Sequence, residues 1–244
     1  MKLNADMGES FGHYQLGNDA ALMPHLHMAN IACGFHASDP VVMTRTVGLA
    51  KVHGVSIGAH PGYPDLVGFG RRSMACTPDE VRGIIWYQVG ALSAIAAANG
   101  CQVDFVKPHG ALYNDMMQDQ ALLVTIMEAV AALKPALPLM IQATTRNETY
   151  RALAKDIGCH LLFEAFADRA CHDDGTLVSR STSGAVITDP QMMVSRAQQL
   201  LDSGTLTSIT GKEVALMPDT LCVHGDNDAA IQAIADLRRL CDAV

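Results

Sequence analysis

Positive charge is scarce in this chain. Seventeen Lys and Arg residues stand against 25 Asp and Glu among 244, a net charge of −8. A general binder of nucleic-acid backbones needs a basic face, so that class is excluded, and Arg71-Arg72 is the one obvious local basic patch. Aromatic residues are also few, at 5%, while hydrophobic residues reach 49%. Ala, Val, Leu, Ile and Met therefore fill the interior, which suits helices packed on a sheet. The seven cysteines (33, 76, 101, 159, 171, 222, 241) form no CxxC pair. Their odd number, and an N-terminus without a charged leader and apolar stretch, point to reduced thiols in the cytoplasm. The most apolar stretch, Ile84 to Ala98, is interrupted by Tyr87, Gln88 and Ser93, so no membrane span is expected. No G-x-G-x-x-G follows a strand and no G-x-S-x-G elbow is present. Gly204 and Gly211-Lys212 are seven apart rather than five and are followed by Glu213, which rules out a P-loop. Low-complexity segments and Pro/Ser linkers are lacking too, and one domain over residues 1–244 is expected.

What is present is regular punctuation. Asp39-Pro40, Thr77-Pro78 and Asp189-Pro190 each place a capping side chain before a proline at the first helical position. Thr77 with Glu80 also fits a capping box. Gly54, Gly100, Gly158 and Gly204 stand where a left-handed residue ends a helix. The pattern predicts strands near 2–5, 29–33, 55–59, 103–107, 138–143, 160–166 and 220–224. Helices are predicted near 18–24, 39–53, 78–99, 110–134, 145–157, 190–203 and 227–242, with a small hairpin inside 207–217. Seven βα units make either an open doubly wound sheet or a closed barrel. An open sheet builds its site from two or three strand ends. Here six of the seven strands end in acids, histidines, lysine or asparagine, which favours an α/β fold of the distorted (β/α)7, TIM-like barrel type with one common mouth.

Those ends are Asn4-Ala5-Asp6-Met7-Gly8-Glu9, Asn30 to His36, His60-Pro61-Gly62, Lys107-Pro108-His109, Glu164 to Arg169, and His224-Gly225-Asp226. Strand side chains alternate faces, so Asn4 with Asp6, Lys107 with His109, and Glu164 with Phe166 and Asp168 share the inner face. Carboxylates there can serve as bases or metal ligands, imidazoles can move protons near neutral pH, and a lysine can stabilise developing negative charge. His36, His60, His109 and His224 follow strands and are the histidines to test; His25, His27, His53 and His160 sit in helices or at strand starts. Glu9 and Asp226 could equally be helix caps, and Lys107 could be a structural partner of Glu164. The Gly68-Phe69-Gly70-Arg71-Arg72 loop could cradle a carboxylate or phosphate.

The same residues carry a family resemblance. Leu3 to Glu9, Ala29 to Asp39, Gly58-Ala59-His60-Pro61, Phe69 to Arg72, Val106 to Asn114, Phe166 to Arg169, Ser208 to Gly211 and Val223 to Asp226 resemble the LamB/YcsF family over the whole chain. Three positions depart from its pattern: Ser38 where glycine is usual, Cys171 where tyrosine is usual, and Ser179 where proline is usual. The resemblance implies a glycoside hydrolase/deacetylase-like barrel serving as the A subunit of 5-oxoprolinase. It implies ATP-coupled opening of 5-oxo-L-proline to L-glutamate in concert with subunits B and C, with ATP as co-substrate and no prosthetic group. Opening an unstrained lactam is uphill, and phosphorylating the amide oxygen before water attacks would drive it. In that scheme Asp6, His36, His60, Lys107, His109, His224 and Asp226 form the catalytic set. Asn4, Glu9, Arg71, Arg72, Asp168 and Arg169 hold substrate or phosphate, and Asp6 could carry Mg2+. Two other readings compete. One is a metal-dependent hydrolase without ATP, using Asp6, His36 and His60 as ligands. The other is a non-catalytic protein that only binds substrate for its partners.

Overall fold

The computed structural model describes residues 1–224 and 228–243. Seven parallel strands close into a barrel: β1 (Lys2–Met7), β2 (Met28–Ala32), β3 (Ser56–His60), β4 (Phe105–Val106), β5 (Leu139–Gln142), β6 (Leu161–Phe166) and the last strand, Thr220–Cys222. The last strand pairs with both β6 and β1, so the chain's first and final strands complete the circle. Around it lie α1 (Asp19–Leu22), α2 (Pro40–His53), α3 (Pro78–Ala98), α4 (Gly110–Gln118), α5 (Gln120–Ala131), α6 (Asn147–Ile157), α7 (Pro190–Ser203) and α8 (Asp228–Asp242). Between α7 and the final strand, β7 (Thr205–Thr207) and β8 (Glu213–Ala215) form an antiparallel hairpin, making the final strand β9.

Local chemistry sets these bounds. Asp39, Thr77 and Asp189 cap α2, α3 and α7 ahead of their prolines, and Thr77 and Glu80 complete the capping box. Gly54, Gly158 and Gly204 end α2, α6 and α7 in the left-handed region. The single helix expected over 110–134 is two, because Asp119 turns extended (φ −113°, ψ 108°) and its carboxylate caps Ala121 and Leu122. The hairpin begins at Thr205, two residues earlier than expected.

α3 has 21 residues, and an 18-residue window of it has a mean hydropathy of 1.3, enough by length and composition to cross a membrane. Its Val81, Ile85, Val89 and Leu92 are nevertheless buried. The polar residue Gln88 is buried as well: its amide accepts from Gly62 N (3.1 Å) and donates to Gly62 O (2.8 Å), tying the helix to the loop after β3. α3 is thus the core-facing helix of a barrel wall. At the barrel floor, Met28, Phe105 and Met140 pack together, and the Phe105 ring lies so close to Gly58 that a Cβ there would meet it at 2.1 Å. The floor is sealed with apolar groups, and polar side chains gather at the other end.

Candidate functional site

The period-2 alternation of β1 directs Asn4 and Asp6 inward. Asn4 donates to Thr220 Oγ1 (3.1 Å), and Asn30 Nδ2 donates to Asn4 Oδ1 and Asp6 Oδ1, both at 2.8 Å. Lys107, just past β4, is buried with its Nζ 3.1 Å from Asp6 Oδ1 and 3.0 Å from a Glu164 carboxylate oxygen. Burial alone would strip its charge. The two carboxylates more than offset that and hold its pKa well above the usual lysine value. Burial likewise pushes Asp6 up, and His60 and Lys107 override it, leaving Asp6 well below the usual carboxylate range. Lys107 is therefore a fixed ammonium, and its structural pairing with Glu164 coexists with its place at the site.

Three imidazoles line the next layer. His60 Nδ1 lies 2.7 Å from Lys107 O, and its Nε2 lies 3.3 Å from Asp6 Oδ2 and 3.0 Å from His109 Nδ1. His109 Nε2 reaches Phe69 O at 2.9 Å. His36 is buried and stacks on His109, with ring centres 3.7 Å apart and planes 5° from parallel. Burial first, and the neighbouring imidazoles second, hold His36 and His109 well below the ordinary histidine pKa. The loop carrying Phe69 reaches them because Phe69 and Gly70 both adopt positive φ (56° and 62°), which brings Gly70 O onto Ala111 N at 2.8 Å.

On the opposite side, Asp168 accepts from the backbone N–H of His224 (3.1 Å) and contacts its Nδ1 (2.9 Å), turning His224 Nε2 toward Asp6 Oδ2 at 3.9 Å. Asp168 sits below the usual carboxylate range because His224 outweighs the burial that would raise it. Asp226 lies outside the described residues.

A cavity of about 770 Å3 opens over this layer, lined by Asp6, His60, Lys107, His109 and His224 and by four arginines, Arg71, Arg146, Arg169 and Arg180. Arg169 is buried; its Nη2 donates to Val178 O (2.7 Å), while its Nε has no hydrogen-bond partner. Burial, followed by repulsion from Arg180, lowers its pKa to about 10. Arg72, expected beside Arg71, turns instead to Asp65, with its Nε 3.0 Å from the carboxylate, and does not line the cavity. Tyr113, Arg146, His172 and Arg180 also line it and escaped the strand-end pattern. Tyr113 lay within a stretch already singled out, but Arg146 and Arg180 sit where no periodicity marks them.

The ligand atoms of Glu9, His36, His60 and His109 lie within 4.8 Å of one another, a set that could hold a metal ion. This differs from the Asp6, His36, His60 set expected from the sequence. Asp6 Oδ1 is taken by Asn30 and Lys107, while Glu9 and His109 join the other histidines.

Known proteins resemble the whole chain. It is 54% identical to a 5-oxoprolinase A subunit of Pseudomonas putida over 99% of this chain and 94% of that one. It is 52% identical to the 5-oxoprolinase A subunit of Chromohalobacter salexigens over 99% and 97%. The crystal structure of a lactam utilization protein from Thermus thermophilus superposes with a TM-score of 0.91 at 42% identity, covering 100% of this chain and 96% of that one. A putative cellobiose-phosphate cleavage protein from Enterococcus faecalis shares the fold alone, with a TM-score of 0.57 and 12% identity. The profile of the LamB/YcsF family matches residues 1–243. With the barrel, its polar mouth and these matches in agreement, the chain belongs to the LamB/YcsF family.

Proposed function

We propose that this chain is the A component of an ATP-dependent 5-oxoprolinase, opening 5-oxo-L-proline to L-glutamate together with subunits B and C. The observation that carries the reading is the cavity, where a fixed ammonium, four imidazoles and four arginines face one space. Relatives named as the A subunits of 5-oxoprolinases, about half identical over nearly the full chain, supply the substrate. The compartment in this reading is the reducing cytoplasm, which fits the seven free thiols.

The chemistry follows from residue type. The carboxylate of 5-oxoproline needs a cation, and the partnerless Nε of buried Arg169 offers a charge-assisted hydrogen bond. Transfer of the ATP γ-phosphoryl group to the lactam oxygen concentrates negative charge, which Lys107, held protonated by Asp6 and Glu164, stabilises. Water then adds to the activated carbon, the ring nitrogen takes up a proton as the C–N bond breaks, and the acyl phosphate left behind is hydrolysed by a second water to the glutamate carboxylate and free phosphate. His224, oriented by Asp168, is placed to move these protons.

The deciding assay measures phosphate and glutamate from ATP and 5-oxoproline, with this chain alone and with B and C added. Equal amounts of both products, formed only when all three proteins and ATP are present, are expected. Glutamate formed by this chain without ATP would replace the reading with a simple hydrolase. No glutamate from the complete set would remove 5-oxoproline as the substrate.

A further inference from the structure

The histidine layer poses a problem of proton count. A carbonyl oxygen only accepts, so His60 carries its hydrogen on Nδ1, against Lys107 O at 2.7 Å, and His109 on Nε2, against Phe69 O at 2.9 Å. The nitrogens left over, His60 Nε2 and His109 Nδ1, face one another at 3.0 Å, with Asp6 Oδ2 a further 3.3 Å contact of His60 Nε2. In two neutral rings both present lone pairs, which repel unless something positive is shared between them. His36 adds an independent observation. It is buried, and neither of its ring nitrogens has a hydrogen-bond partner. A buried polar group left unmet costs about 1–3 kcal/mol. A proton shared by His60 and His109 would leave His36 as it is; a metal ion can serve all three rings.

We propose that Glu9, His36, His60 and His109 bind one divalent transition-metal ion of the zinc class, through Nε2 of His60 and Nδ1 of His109. The ligand chemistry selects the ion. Three imidazoles and one carboxylate suit Zn2+, Co2+ or Ni2+, whereas Mg2+ and Ca2+ favour all-oxygen sets. The two carbonyl contacts do what outer partners of metal-binding histidines do, fixing tautomer and ring direction. Zn–N bonds of about 2.0–2.1 Å in a tetrahedron separate nitrogens by about 3.3 Å, so the His60–His109 pair opens only slightly to admit the ion. His36 lies parallel to His109 and joins by turning about its Cβ–Cγ bond. Gly62 borders that ring, and a Cβ there would come within 2.8 Å of His36 Nδ1. Because His60 and His109 also line the large cavity, the bound ion faces whatever that cavity holds. The inference goes beyond the substrate reading and does not depend on it.

The test uses the purified full chain after chelator treatment, titrated with Zn2+, Co2+ and Mg2+ by calorimetry. One equivalent of Zn2+ or Co2+ is expected to bind, with Mg2+ at least about 100-fold weaker. His60→Ala and His109→Ala should each weaken Zn2+ at least about 100-fold, since even the loss of an outer partner costs 10- to 100-fold. His25→Ala, which precedes β2 at the opposite end of the barrel, should bind normally. Stoichiometric binding unchanged in both cluster variants would overturn the site, as would no binding of Zn2+ or Co2+ by the wild type. Should a variant fail to fold, histidine nitrogen resonances of the wild type decide. Zn2+ should shift Nε2 of His60 and Nδ1 of His109, and unmoved resonances there would refute the proposal.

Discussion

Lys107 lies between Asp6 and Glu164, and the charges of this trio hold one another in place. Replacing it by methionine leaves two buried carboxylates without a cation, which should cost about 3–5 kcal/mol of stability in urea unfolding near neutral pH. Adding Glu164→Gln to Lys107→Met should recover part of that loss; a double variant less stable than the single would contradict the pairing. Asp168 offers a pH test. Its pKa is lower folded than the ordinary 3.8, so the stability it contributes is present above that value and disappears as pH falls through the folded one. Asp168→Asn should therefore be about 1–3 kcal/mol less stable than wild type near neutral pH, with the gap narrowing below pH 3.8 in acid-dependent urea titrations. Ser38 is informative in the other direction. It holds φ +73°, a left-handed conformation that glycine adopts at less cost. Ser38→Gly should stabilise the chain by about 1 kcal/mol, raising its melting temperature. The inward histidines and carboxylates could be read from strand parity because each sits within a few residues of a strand end. Their division into a lysine-held carboxylate pair and a histidine cluster could not, since it depends on which neighbouring strands face one another.

The elements were largely legible because caps and prolines mark their starts. The break at Asp119 was not, for the apolar pattern continues on both sides and only the backbone turn separates α4 from α5. Asp119 caps α5 through Ala121 and Leu122, so Asp119→Ala should destabilise by about 1 kcal/mol. An unchanged urea midpoint would mean the break is held by packing rather than by the cap. The strand expected over 103–107 shrank to Phe105–Val106, although Asp104 N still donates to Ile57 O and Lys107 N to Ala59 O. Sequence periodicity sees residue type; it does not see how few ladder bonds are left to the shortest strand of the barrel.

At the scale of the molecule, charge is segregated. The chain carries a net −8, yet four arginines and Lys107 face a single cavity. Composition excluded a broad anion-binding face but could not locate this small one, because the fold brings Arg146, from the loop after β5, to Arg169 and Arg180, both in the long loop between β6 and α7. Anion affinity should depend strongly on the buried member. Arg169→Met should weaken 5-oxoproline binding to the assembled enzyme about 10- to 100-fold, the equivalent of one charged hydrogen bond, as measured by calorimetry. An affinity within twofold of wild type would place the carboxylate elsewhere. The barrel seam has a consequence for biosynthesis. β1 leaves the ribosome well before β9, and each is the other's neighbour in the closed sheet. Until Thr220–Cys222 is made, Asn4 lacks the Thr220 hydroxyl and Asp168 lacks His224. A nascent chain thus has no finished site, and the first strand must wait, one edge unpaired, for the last.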